Sequence, residues 1–437
     1  MNNNKIIIGL DIGTTKICAM VGVRNDKGKI NVLGIGRSPS LGGVTEGMVS
    51  NINKTSEAIG NAVRMASAQS GVNIARVYVG IAGRHIRSFT QTYNTYRSNP
   101  EAEITHEELE EMRQRMFKLT TEPGSRILHV LPQEYRIDEY VSDDPVGMPG
   151  TKFDVNYHII TGQMLAAENI KKCIEKCNVE VEDIVVEPIA SAKAVLTEEE
   201  LHEGVAILDI GGGTSDLAIF HEGRIRHTTV IPIGGQKITK DISEAFRIME
   251  SHAEAMKVRY GNALPEDTRA NEVVIVPGIN GRQSKQVSVR HLSQVINARL
   301  KELFAMVDKE IQHSGYFHKL TAGLVVTGGG AELKNISQFL EYTTGLEVKI
   351  GYPNQHLANG IAEEIKSPIY ATGAGLVIYG IEKEVSENKE IGNINEPLNT
   401  GSKSPNSGKN FFNKIKDFSG SMLDFLKEDD VDGFNKK

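Results

Sequence analysis

Lys5 to Lys16 reads K-I-I-I-G-L-D-I-G-T-T-K, and Val205 to Asp216 reads V-A-I-L-D-I-G-G-G-T-S-D. Each stretch opens as an apolar run, reaches an Asp, and ends in glycines and hydroxyls. Each is followed by a second apolar run, Ile17 to Val23 and Leu217 to Phe220. Two strands around a short polar tip make a β-hairpin. The recurrence, about 200 residues apart, is too long a period for a solenoid and reads as a duplication, two related domains facing each other. A third glycine element, Gly328-Gly329-Gly330, ends the apolar run Gly323 to Thr327 and precedes a helical pattern from Glu332 to Tyr342.

These tips suit phosphate. Glycines let main-chain N–H groups approach anionic oxygens, and successive N–H groups form a nest. Gly13, Thr14, Thr15 and Lys16 are the candidates in the first tip, and Gly211, Gly212, Gly213 and Thr214 in the second. Asp11 and Asp209 cannot lie against phosphate unless a cation stands between, and Mg²⁺ held mostly through water meets that need. A Rossmann site would require a helix directly after the glycines, but strand-like residues follow both tips. No G-x-x-x-x-G-K-[ST] loop occurs.

The rest of the chain has the composition of a soluble globular protein. Lys plus Arg number 49 and Asp plus Glu 56, a net charge of −7 over 437 residues, which excludes a general nucleic-acid binder. No apolar run reaches the length of a membrane span. Cys18, Cys173 and Cys177 cannot form a disulfide framework, which points to a reducing, cytoplasmic setting. Arg84 to about Thr161 differs in composition and carries a helix over Ile104 to Leu119, with Thr105 and Glu108 spaced as a capping box. Helical patterns cover Pro188 to Leu196, about Gln236 to Tyr260 and Ser293 to Ser314, and short strands cover Asp183 to Val186, Glu272 to Pro277 and Gln286 to Val289. Folding is expected to end near Gly380. Ile381 to Asn410 reads as a disordered linker. Beyond it, Phe411, Ile415, Phe418, Met422, Phe425 and Leu426 form one helical stripe with lysines at its edges, suited to lie in the surface of an anionic membrane.

The five elements resemble the actin/Hsp70/sugar-kinase ATPase superfamily: the two hairpins, Val325 to Leu333, Glu187-Pro188-Ile189-Ala190-Ser191-Ala192, and Ala371 to Gly375. Within it the chain is similar to the FtsA family of bacterial cell-division proteins. The stretches that carry this resemblance are Arg126 to Tyr135, Asp144 to Met148, Arg226 to Gly235 and Ala253 to Gly261.

The resemblance implies an α/β, duplicated actin-like ATPase fold with an inserted α+β subdomain and a C-terminal amphipathic helix. Its parts are expected at 1–84 with 163–197, 85–162 for the insertion, 198–231 with 306–380, 232–305 for an FtsZ-binding subdomain, 381–410 for the linker and 411–427 for the membrane helix. It implies ATP and Mg²⁺ as ligands, with Asp11 and Asp209 organising the metal. Gly329, Gly330 and Ala331 would pass close to the adenosine, and Glu254 and Lys257 would lie near ribose and adenine. Glu187 is the candidate for orienting or deprotonating the attacking water; its plainer role is a carboxylate at a helix N-terminus. Hydrolysis would be slow at most.

Implied partners are the FtsZ C-terminal tail at Arg290 and Arg299, further copies of the chain in a polymer, an anionic membrane surface, and later division proteins through the insertion. The implied place is the cytoplasmic side of the cell membrane at the division septum, in the Z ring. A pilus-type actin-like assembly ATPase and a kinase of the same fold are the alternatives. Neither needs a flexible linker with an amphipathic end.

Overall fold

The computed structural model describes residues 5–269, 271–278, 282–358 and 363–394. Chain contacts divide the molecule into Met1–Val385 and Ser386–Lys437. The membrane stripe Phe411, Ile415, Phe418, Met422, Phe425 and Leu426 lies outside the described residues.

The first unit opens with β1 (Ile7–Ile12), β2 (Lys16–Arg24) and β3 (Ile30–Pro39), then the short hairpin β4 (Val44–Thr45) and β5 (Met48–Val49). Helix α1 (Ile52–Ser70) follows, started by the Asn51 side chain accepting from the Lys54 N–H and stopped at left-handed Gly71. Strand β6 (Arg76–Ile81) leads into β7 (Arg87–Tyr96), α2 (His106–Phe117), β8 (Ser125–Ile137), β9 (Tyr140–Ser142) and β10 (Lys152–Gln163). Then come α3 (Met164–Glu175), β11 (Glu180–Val186), α4 (Glu187–Val195) and α5 (Glu198–Glu203). The second half contains β12 (Val205–Ile210), β13 (Ser215–His221), β14 (Arg224–Ile231), α6 (Gly235–Phe246), α7 (Glu250–Tyr260), β15 (Val273–Val276), β16 (Lys285–Ser288) and α8 (Val289–Ser314). It closes with β17 (Leu324–Thr327), α9 (Ile336–Thr344), β18 (Val348–Ile350) and α10 (Ala371–Ile394).

The duplication is visible in the sheets. One runs β3-β2-β1-β6-β11 and the other β14-β13-β12-β17-β18. In both, three strands joined by hairpins are antiparallel and the next two add in parallel. Parallel pairing needs crossovers, so both central strands are buried throughout. The segment between β6 and α3 makes its own antiparallel sheet, β7-β10-β8-β9, with a separate core around Phe153, Tyr157, Met112 and Met116.

Four expectations need correction. The helical region from Gln236 to Tyr260 is two helices, α6 and α7, because Arg247 adopts a left-handed φ of 51° and ends the first. The long helix starts at Val289 rather than Ser293, since the Ser288 side chain caps it, so Val289 is helical and not strand. After the Gly328-Gly329-Gly330 element the chain makes a 3₁₀ turn, Gly329–Glu332, before α9 begins at Ile336. The linker does not begin at Ile381, because α10 continues to Ile394. Ile381 is buried, Tyr379 and Lys383 both reach Asp183 on β11, Glu382 pairs with Lys193 and Glu384 with Lys5. Composition alone reads these polar residues as solvated, whereas they face charged partners distant in sequence.

Candidate functional site

The two hairpin tips meet face to face. A Cβ on Gly212 would lie 2.6 Å from Thr15 Cγ2, and one on Gly213 would lie 2.4 Å from Thr14 Oγ1. Only glycine permits this approach. Lys16 donates to the Ile369 carbonyl at 2.6 Å and stacks over the Tyr370 ring, so it stands at the same junction. Gly235 and Gln236, which open α6, donate their N–H groups to the carbonyls of Gly211 and Gly212 at 2.9 and 2.8 Å. That ties the second tip to the helix behind it. Glu254 and Lys257, one turn apart on α7, pair at 2.7 Å, and Lys257 also donates to the Gly235 carbonyl at 2.9 Å. The glycines ending β17 close another side. Gly328 has φ 81°, and a Cβ there would lie 2.2 Å from Asp209 Oδ1. Gly329 meets nothing within 4 Å, and Ala331 is buried.

At the base of the tips sit four carboxylates. Asp11 and Asp209 are each buried near the end of the first strand of their hairpin, and Asp216 lies directly across from Asp209 in the β12–β13 register. Glu187 opens α4 and rests over Gly80. Burial pushes the Asp11 carboxyl up to about 6, with Lys16 opposing and Asp209 reinforcing the shift. Burial, with Asp209 adding to it, pushes Asp216 to about 8. Glu187 rises well above the usual carboxylate range through burial and the charges of Asp11, Asp216 and Asp209. Asp209 is also raised by burial, opposed by hydrogen bonds from Ser191 at 2.6 Å and Thr372 at 3.2 Å.

So many carboxylates in one buried place call for a cation. Asp216 Oδ1 is a buried acceptor with no hydrogen-bond partner in the protein. Among the described residues no three His, Cys, Asp or Glu side chains converge to ligate one ion directly. The buried acids fit a divalent cation, and Asp11 and Asp209 would hold Mg²⁺ there.

Reading the motifs alone missed Asp216, Ser191 and Thr372. All three stood in quoted stretches, but only their spatial convergence on Asp209 assigns them. The partner-site arginines lie elsewhere. Arg299 on α8 is held by Asp241 at 2.6 and 2.8 Å and also pairs with Glu302. Arg290, at the start of the same helix, is exposed.

Two facing glycine hairpins, a third glycine turn and shared carboxylates, carried on duplicated five-stranded sheets, define an actin-like architecture. Solved structures agree on the fold. A PilM–PilN type IV pilus biogenesis complex matches with a TM-score of 0.61 and 16% identity over 86% of this chain and 98% of that one. MreB5 of Spiroplasma citri bound to AMPPNP matches at 0.54 and 16%, over 89% and 99%.

The sequence comparisons are narrower. Residues 206–375 match the model described as cell division protein FtsA, and residues 83–161 match the SHS2 domain inserted in FtsA. The FtsA of Pseudomonas aeruginosa is 38% identical over 88% of this chain and 91% of its own length. That of Neisseria meningitidis is 37% identical over 93% and 96%, and that of Escherichia coli 34% over 89% and 93%. The chain belongs to the FtsA family of cell-division proteins.

Proposed function

We propose that this protein binds Mg-ATP between its two glycine hairpins, polymerises, and tethers FtsZ filaments to the inner face of the cytoplasmic membrane at the division septum. The observation that carries the reading is the meeting of Thr14 and Thr15 with Gly212 and Gly213 above the Asp11, Asp209, Asp216 and Glu187 carboxylates. Phosphates held there touch both halves at once. Nucleotide occupancy then biases the angle between the halves, which suits a polymer subunit.

Mg²⁺, when bound, supplies the positive charge that lets carboxylate and phosphate share the site. The chain's own residues do the rest. The tip N–H groups of Gly13 to Lys16 and Gly212 to Thr214 bind phosphate oxygens, the Gly211 N–H closes the second tip on the Thr214 carbonyl at 2.9 Å, Lys16 adds charge, and Ser191 and Thr372 fix the rotamer of Asp209. Gly329, Gly330 and Ala331 pass the adenosine, and Glu254 and Lys257 flank ribose and adenine. Glu187, whose carboxyl is raised above the usual range by burial and by the charges of Asp11, Asp216 and Asp209, is the group that would orient or deprotonate the attacking water. Slow hydrolysis follows if it alone serves the water.

For membrane attachment, the stripe Phe411, Ile415, Phe418, Met422, Phe425 and Leu426 lies in the interface, each large side chain contributing roughly 1.5–3 kcal/mol at most before the helix is ordered. One helix binds weakly, and a polymer displaying many binds tightly. Among the described residues no helix is long and apolar enough to cross a membrane. Later division proteins would dock on the inserted subdomain.

The test is co-sedimentation of the protein and FtsZ with anionic vesicles. FtsZ is expected to follow this protein to the vesicle in the presence of Mg-ATP, and Phe418→Glu is expected to leave both in the supernatant with ATP binding intact. Retention of the Phe418→Glu variant on vesicles would overturn the anchor.

A further inference from the structure

The β4–β5 hairpin has no role in the site as described so far, yet its tip lies where the two phosphate hairpins meet. Its register pairs Val44 with Val49 and Thr45 with Met48, so Glu46 and Gly47 form a two-residue turn. Both have positive φ, 49° and 75°. Such a turn favours Asn and Gly, and a Glu with its long side chain is an exception held by its surroundings.

Those surroundings come from three separate segments. The Gly47 N–H donates to Thr14 Oγ1 at 3.1 Å in the first phosphate tip. A Cβ on Gly213, in the second tip, would lie 2.9 Å from Glu46 Cα. A Cβ on Gly47 would lie 2.8 Å from the nitrogen of Gly83, at the entry to the inserted subdomain. The turn is therefore seated between glycines, main chain against main chain. Its one charged side chain faces two cations. Glu46 Oε1 lies 3.8 Å from Lys237 Nζ on α6, and Oε2 lies 3.9 Å from Arg84. Lys237 belongs to the second half of the unit and Glu46 to the first.

We infer that the β4–β5 turn is a clasp across the phosphate hairpins, and that Glu46, paired with Lys237 over the cleft, is a positioning residue that sets how fast nucleotide leaves. The inference rests on the Mg-ATP reading above. Phosphates must pass the line where Thr14, Gly213 and Glu46 touch, so opening the halves requires the turn to part from Gly213 and the Glu46–Lys237 pair to separate. A half-exposed pair at this distance resists opening only modestly, and its weight is felt in a rate more than in an affinity.

The test uses the full chain loaded with ATP carrying an N-methylanthraniloyl fluorophore, chased with excess ATP. Glu46→Asn keeps a residue suited to the left-handed turn and removes the charge. It is expected to speed nucleotide release roughly two- to fivefold, the factor that a partly exposed ion pair carries. Lys237→Gln is expected to do the same, and the double variant to release no faster than either single, because the Glu46–Lys237 pair is the interaction that both remove. Amide hydrogen exchange over 44–49 gives a second reading, with the Gly47 N–H exchanging faster in Glu46→Asn without added nucleotide. If wild type binds the probe but Glu46→Asn releases it at the wild-type rate, or if the two substitutions multiply, the clasp is overturned while the nucleotide site stands. If wild type does not bind the probe at all, the nucleotide reading falls and the clasp falls with it.

Discussion

Asp209 gathers partners from three segments: Ser191 on α4 and Thr372 on α10 by hydrogen bond, and Asp216 across the β12–β13 hairpin. The two hydroxyls also meet each other at 3.1 Å, so one of them keeps an acceptor when the carboxylate is removed. Asp209→Ala tests the metal role. Mg-ATP affinity is expected to fall more than tenfold in an equilibrium titration, since metal-bridged phosphate contacts are charge-assisted. Unchanged affinity would remove the site. Glu187 is tested separately. Its carboxyl is raised by burial and by three neighbouring acids, so Glu187→Gln removes a repelled charge and keeps the shape. Phosphate release under ATP is expected to drop by about 10²-fold or more, within the range of general-base losses, while ATP binds at least as tightly. Weaker binding with unchanged turnover would assign Glu187 a structural place at the start of α4 instead.

At the scale of elements, α8 shows how a sequence match and a folded environment can compete. Arg299 is the proposed contact for the FtsZ tail, and its guanidinium already meets Asp241 in two hydrogen bonds and Glu302 in a third. These acids hold its proton more firmly than usual, the Asp241 hydrogen bond first. An acidic tail must share or displace them. Arg299→Glu is expected to abolish binding of an FtsZ tail peptide and spare ATP binding. The same substitution places three carboxylates together, so it needs a counterpart. Asp241→Asn loosens the hold on Arg299 and is expected to tighten the peptide a few-fold, by about the worth of one partly exposed ion pair. If instead Asp241→Asn weakens the peptide as much as Arg299→Glu does, Arg299 serves to dock α8 on α6, and the tail binds elsewhere. Peptide anisotropy on both variants decides this.

Across the whole molecule, the duplicated strands, the glycine turns and the acidic residues at their bases were legible because local pattern determines them. Alternating chemistry over six or seven residues makes a hairpin whatever surrounds it. The split of α6 from α7, the continuation of α10 and the convergence of Ser191 and Thr372 on Asp209, 18 and 163 residues away, depend on non-local contacts or on one left-handed residue, and periodicity does not report those. Buried histidines are another such feature. His158 on β10 meets Thr228 on β14 at 2.9 Å, and His129 on β8 accepts from the Val186 N–H at 3.2 Å. Burial lowers both to about 4, with nearby His227 adding to the effect at His158, and Asp183 opposing while Lys383 and Arg113 reinforce it at His129. The sign follows directly. Unfolded histidine titrates near 6.5, so between about 6.5 and 4 the unfolded chain binds more protons than the folded one, and stability falls as pH falls. Above about 6.5 both forms are neutral and these two residues contribute no slope. Each site is worth roughly 3 kcal/mol by pH 4, a large share of an ordinary domain's stability. Melting temperature is expected to hold from pH 8 to 7 as far as these histidines act, then to drop steeply below pH 6. His158→Gln keeps a side-chain partner for Thr228 without a titrating ring, and it is expected to flatten that drop by about half while costing some stability at pH 7.5. A His158→Gln profile parallel to wild type across pH 7 to 5 would mean that the seam between β10 and β14 does not govern acid unfolding.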